Sequence, residues 1–140
     1  MPLITGPRVL SIQQPWASAI AKGHKRVENR SWSTRYRGTV YIHASSKLDR
    51  HGVEWLESVA HVRRPAEFTQ SAIVAVANIS DVVTKRQAQQ FEPWFFGPYG
   101  FVLKNIRSLP KPVRTKGKLG LFRPSPALIR SVNRQLEARR

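Results

Sequence analysis

The sequence predicts an α+β domain, a small mixed β-barrel of about five to six short strands with flanking helices. Short β-rich runs alternate loosely with single helical segments and with Gly and Pro turn signals, whereas a doubly wound sheet would show stricter βα alternation. One continuous apolar run, 72–83 (AIVAVANISDVV), reads as a strand at the centre of a sheet. The 140 residues match the size of one domain and carry no repeat, linker or low-complexity segment, so a single domain over 1–140 is expected.

The elements follow from local pattern. Residues 8–12 alternate Leu10 and Ile12 against Ser11, a short strand. Pro15 suits a first helical position, Trp16, Ala17, Ile20 and Ala21 fall on one helical face, and Gly23 ends the helix as a C′ residue. Residues 25–30 read as a second strand and 31–38 as a polar, aromatic loop. A third strand, 39–44, places Val40 and Ile42 on one face and Tyr41 and His43 on the other. Ser46 with Asp49 three residues on resembles a capping box, opening a helix that buries Val53, Leu56 and Val59 or Ala60. A loop over 63–70, a helical turn within 84–90, and strands at 99–106 and within 112–123 are expected next. From Ala127 a last helix points Leu128, Ile129, Val132 and Leu136 inward, and Arg130 and Arg134 outward.

Charge narrows the partner class. Lys and Arg number 24 against 8 Asp and Glu, a net charge of +16 with a pI near 11.6. The basic residues cluster over 22–37 and 104–118 and in the last helix. A polyanion relieves that self-repulsion and releases its own counterions, which favours nucleic acid over acidic metabolites. The absence of cysteine excludes disulfides and thiolate metal sites. His24, His51 and His61 form no metal-ligand spacing with a carboxylate, so neither metal nor cofactor is expected. With no signal-type h-region at 1–8 and no apolar run near the ~20 residues that cross a membrane, a cytoplasmic monomer is expected.

The densest polar and aromatic constellation runs from Gln13 to Ser46: Gln13-Gln14-Pro15-Trp16-Ala17, then Gly23-His24-Lys25-Arg26-Val27-Glu28-Asn29-Arg30, Tyr36-Arg37-Gly38 and Ile42-His43-Ala44-Ser45. This ordered set resembles the ASCH domain family of the PUA-like superfamily. Gly23, Lys25, Glu28 and Arg30 match its hallmark G-x-K-x-x-E/T-x-R, and Gly97–Phe101 and Lys116–Leu121 look like its late strands. The resemblance implies a PUA-like barrel with a cleft beside the first helix, and nucleic acid, RNA ahead of DNA, as partner. It also implies two enzymatic alternatives, a ribonuclease and an amidohydrolase acting on N4-acetylcytidine. The amidohydrolase pattern departs here: Lys25 matches, but Glu28 stands where those enzymes carry threonine. The central strand has Ala75, Val76, Ala77 and Asn78 where they carry glutamate.

Strand alternation aims Glu28 and Arg30 together, away from Val27, and Lys25 joins them because it follows the helix-ending glycine before regular pleating begins. A carboxylate between two cations can accept from a base amine while the cations hold phosphate; the plain alternative is a solvated ion pair. Trp16, Trp32 and Tyr36, with Tyr41, offer stacking surfaces interleaved with Lys25, Arg30, Arg35 and Arg37. Trp16 equally suits the core, sharing a face with Ile20, whereas Trp32 lies in a polar loop; Trp55, Phe91, Trp94 and Phe95 read as packing residues. Ser45 and Ser46, with Lys47, end a strand beside a helix start, where backbone N–H groups hold phosphate. Arg134 adds a phosphate contact from the last helix. For catalysis the candidates are Lys25, Glu28, Tyr41, His43 and Lys47, with His43 either a general base or a hydrogen-bonded structural histidine.

Overall fold

A computed structural model describes residues 6–139; Met1 to Thr5 and Arg140 lie outside the described residues, and with them most of the segment read above for a signal sequence. Six strands and three helices follow in the order β1 (Arg8–Gln14), α1 (Trp16–Ala21), β2 (Val27–Arg30), β3 (Gly38–Leu48), α2 (Arg50–Ser58), β4 (Ala72–Val83), β5 (Tyr99–Arg114), β6 (Leu121–Phe122) and α3 (Pro126–Ala138). Two single 3₁₀ turns, Lys85–Gln87 and Gln89–Phe91, fill the expected helical turn.

The strands form one mixed sheet in the order β2-β5-β4-β3-β1-β6. β1 and β3 pair in parallel and every other neighbouring pair is antiparallel. β4 is central and buried on both faces, which is why its sequence is nearly continuous in apolar residues. On the concave face Leu10, Ile12, Val40, Ile42, Ala75, Ala77, Phe101 and Leu103 pack around Ala17 and Ile20 of α1. On the other face Val9, Tyr41, Ile73 and Val76 pack under Leu128 and Val132 of α3.

The hydrogen-bonded ladder is an open one, with β2 and β6 at its ends. Register shifts between Ile73 and Ala75, Val76 and Asn78, and Ile79 and Asp81 bend β4 against β5 and curl the sheet. The seam is bridged by a side chain: beyond the two-residue β6 ladder, the Ser11 carbonyl of β1 accepts from Arg30 Nη2 of β2 at 2.7 Å.

Several element bounds differ from the sequence reading. β3 continues to Leu48, so α2 opens on Asp49, whose Oδ1 accepts from Gly52 N at 3.0 Å, and the Ser46 capping box does not form. Val59 is 47% exposed and lies outside the core. β5 runs unbroken across the expected gap: its ladder to β4 jumps from Ser108 to Val113, so Pro110 and Pro112, which lack N–H donors, fall where no rung requires one. α3 starts one residue early, capped by Ser125 Oγ accepting from Leu128 N at 3.1 Å.

Candidate nucleic-acid interface

Gly23 sets the geometry of the site. At φ +82° it reverses the chain after α1, its N–H donating to Ile20 O and that of His24 to Ala19 O, both at 2.9 Å, the paired bonds of a Schellman turn. Lys25 N then donates to Ala19 O at 3.1 Å, which drops the lysine beneath the turn. Its side chain is buried, 2% exposed, with Nζ donating to the Val27 carbonyl and, at 2.7 Å, to Glu28 Oε1. Arg30 Nε donates to the other oxygen, Glu28 Oε2, at 3.1 Å. β2 begins only at Val27, so Lys25 escapes the alternation that would have turned it away. Glu28 is 6% exposed, which excludes a solvated surface pair and makes this a buried cation–carboxylate–cation triad.

Lys25 and Glu28 floor a cleft of about 410 Å³ whose walls are Trp16, Trp55 and Phe96, while Arg30 holds Glu28 in place without lining the cleft itself. Asp49 serves two elements at once: besides capping α2 it accepts from Trp16 Nε1 at 3.1 Å, fixing the indole. Gly52 lets that ring come close, since a Cβ there would stand 2.6 Å from Trp16 Cζ2. Asn29 ties β2 to the loop bearing Phe96, donating to Trp94 O at 3.0 Å and accepting from Phe96 N at 2.7 Å and Gly97 N at 3.0 Å. Trp55 meets Trp16, Trp94 and Phe96 edge-on with centroids 5.7, 5.2 and 5.4 Å apart. Phe96 remains 60% exposed at the mouth.

The other sequence candidates scatter. Trp32 does not wall this cleft; it packs edge-on against Phe101 at 5.2 Å, on the margin of the core. Tyr36 packs beside it with its hydroxyl donating to Thr39 O at 2.7 Å, and burial raises its pKa against the lowering effect of Arg8. Tyr41 is buried under α3, where no base can stack on it and burial raises its pKa. Arg35 is exposed, and Arg37 is spent on the Thr34 and Tyr36 carbonyls. Ser45, Ser46 and His43 belong to a second cavity, while Lys47 is exposed and lines neither. The phosphate-holding helix start expected at Ser45–Lys47 is absent because β3 continues and Asp49 already caps α2. Arg134 projects from α3, donating to Ser131 Oγ at 3.1 Å.

Trp55, Phe96, Asn29, Asp49 and His51 line the cleft although none of them is a binding candidate in the sequence, where Trp55 reads as packing and Asp49 as a cap. One local signal existed: His51 and Trp55 are four residues apart and so share a helix face, with small Gly52 between them.

A curled mixed sheet with a cleft beside its first helix defines a PUA-like α+β domain. The family model for the ASCH domain matches residues 10–112, and the chain belongs to that family. The human protein Activating signal cointegrator 1 is 29% identical over 119 residues, 77% of this chain and 20% of that protein. Its mouse counterpart is 32% identical over 91 residues, 60% of this chain and 16% of that protein. The chain thus spans about a fifth or less of the length of these relatives. Crystal structures of two variants of ZmASCH from Zymomonas mobilis share the fold, with TM-scores of 0.56 and 0.54 at 15% and 13% identity. Each alignment covers 91% of this chain, and 94% and 96% of theirs.

Proposed function

We propose that this ASCH domain binds single-stranded nucleic acid, RNA ahead of DNA, by taking one unstacked base into the cleft of Trp16, Trp55 and Phe96. The observation that carries the reading is the match between walls and floor. Three aromatic rings surround a space within the roughly 300–1,000 Å³ range of small-ligand sites, wide enough for a planar heterocycle. The floor's polar groups are already bonded to one another, so they are held rigidly and leave only the spare lone pairs of Glu28 and the third N–H of Lys25 to read an edge. Such a floor suits a base better than a phosphate, and the +16 charge elsewhere serves the backbone. A protein that stacks bases on aromatics selects single strands, where bases are free to leave their neighbours.

Fluorescence polarisation of labelled single-stranded RNA, single-stranded DNA and duplex DNA over a salt series tests the proposal. The expected result is tightest binding to single-stranded RNA, weakened at least fivefold by Phe96→Ala, on the order of one stacking contact. Equal affinity for duplex, untouched by Phe96→Ala, refutes it. The same labelled RNA, run on a gel with and without chelator, separates binding from cleavage.

A further inference from the structure

A second cavity, of about 480 Å³, shares no lining residue with the aromatic cleft. Its floor is Ser11 of β1 and His43 of β3, Cα partners in the parallel ladder. Around them stand Ser45, Ser46 and Ser71 and the two lysines Lys116 and Lys118, the latter with its Nζ 5.9 Å from the centroid of the Phe122 ring. No lining residue is a carboxylate, and among the described residues neither lysine is in an ion pair. Gly117 closes onto the floor: a Cβ there would overlap Ser11 Oγ and stand 2.8 Å from His43 Cε1. A glycine at 117 therefore brings the segment of the two lysines over half-buried Ser11 and buried His43.

The floor has a fixed proton order. The Thr115 carbonyl can only accept, so His43 Nε2 carries a proton and donates to it at 2.7 Å. In neutral His43 the other nitrogen, Nδ1, is bare and accepts the Ser11 hydroxyl proton at 2.9 Å. Ser11 then shows only lone pairs to the cavity. When Nδ1 gains a proton it becomes the donor to Ser11 Oγ, and the serine proton is freed to point outward. One protonation thus adds both a positive charge and a hydrogen-bond donor to the floor.

The geometry points to this cavity as a phosphate-binding site, with Lys116 and Lys118 supplying charge, serine hydroxyls supplying donors, and the Ser11–His43 pair tightening the grip on acidification. The ionisable groups that line the cavity with His43, Lys116 and Lys118, are both cations, and the Arg30 guanidinium reaches the Ser11 carbonyl from β2; the ring's own hydrogen-bond partners are the Ser11 hydroxyl and the Thr115 carbonyl. Burial holds His43 below the ordinary imidazole range, against the raising effect of its bond to Thr115, so near neutrality the lysines and serines act alone. A monoester phosphate and a nucleic-acid backbone diester offer the same oxygens. The site does not depend on the aromatic cleft, and Phe96→Ala leaves it unchanged.

Amide NMR of the intact chain at constant ionic strength tests the site with two probes, a nucleoside 5′-monophosphate and a dinucleotide carrying one phosphodiester. Saturable shifts at Ser45, Ser71 and Gly117 are expected, weakened about tenfold by Lys116→Gln with Lys118→Gln, two exposed changes that spare the core. Saturation by the dinucleotide identifies a backbone site, and saturation by the monophosphate alone a terminal-phosphate site. The diester keeps its charge between about pH 7.5 and 5.5, so an affinity that rises several-fold over that range reads the protein, and His43→Gln removes the rise. No saturable shift, or equal affinity in the lysine variant, overturns the site; a flat pH response overturns the Ser11–His43 relay.

Discussion

Glu28→Gln removes the one negative charge between Lys25 and Arg30 while preserving shape, and its cost follows from burial. Lys25 is 2% exposed and Glu28 6%, and the carboxylate accepts from Lys25 at 2.7 Å and from Arg30 at 3.1 Å. With glutamine in place, Lys25 retains the Val27 carbonyl but has no counter-charge, whereas Arg30, 22% exposed, recovers part of its hydration. Breaking a buried pair from one side costs about 3–5 kcal/mol, a large share of the roughly 5–15 kcal/mol that holds a domain together. A solvated ion pair, the plain alternative offered by the sequence, would tolerate this change at little cost; the burial of Lys25 and Glu28 reverses that expectation. Urea unfolding followed by tryptophan fluorescence measures it, and adding Lys25→Met should recover much of the loss, because the second change removes the orphaned charge. A Glu28→Gln variant within about 0.5 kcal/mol of the parent would refute the buried triad and return Glu28 to a solvated ion pair.

Further outcomes follow from the same geometry. Gly52→Ala should improve helix propensity but push the Trp16 indole, so binding of single-stranded RNA falls while the unfolding midpoint changes little, as paired titration and urea curves would record. His43 has a pKa lowered by burial in the fold, and the unfolded chain takes up its proton near 6.5, so its contribution to stability is complete above about pH 6.5 and is lost as pH falls through the folded-state value; urea midpoints across that range, flattened in His43→Gln, check this. Binding should lose about 0.7 log units of affinity per log unit of salt for each phosphate neutralised on a single strand, and a flat salt response contradicts the electrostatic part of the reading. Arg130→Gln with Arg134→Gln should weaken all sequences alike by polarisation assay, since exposed arginines on α3 meet phosphate rather than base edges.

What was legible in the sequence is what depends on near neighbours. Gly23, Lys25, Glu28 and Arg30 lie within eight positions, and a helix-stopping glycine followed by two-residue alternation suffices to bring their side chains together. The two-faced burial of β4 is written in its composition for the same reason. The aromatic walls were not legible, because Trp16, Trp55 and Phe96 come from α1, α2 and the loop before β5 and meet only through Asp49 and Asn29, whose partners lie 33 and 65 to 68 positions away. Trp32 misleads in the opposite sense: its loop is polar in sequence, yet the ring turns inward onto Phe101. Tyr41 does share a face with His43, as alternation requires, but α3, arriving from the far end of the chain, covers it. The sequence reading divides β5 between 106 and 112 because pairing partners are invisible in one strand's sequence; in the structure the register jump accommodates Pro110 and Pro112 without a break.

Entry of a base between Trp16, Trp55 and Phe96 would register in the indole N–H signals of the four tryptophans during titration with a short single-stranded RNA. Large, saturable shifts are expected for Trp16 and Trp55, a smaller one for Trp94 through its contact with Trp55, and none for Trp32. Movement of the Trp32 signal with Trp16 and Trp55 stationary would contradict it.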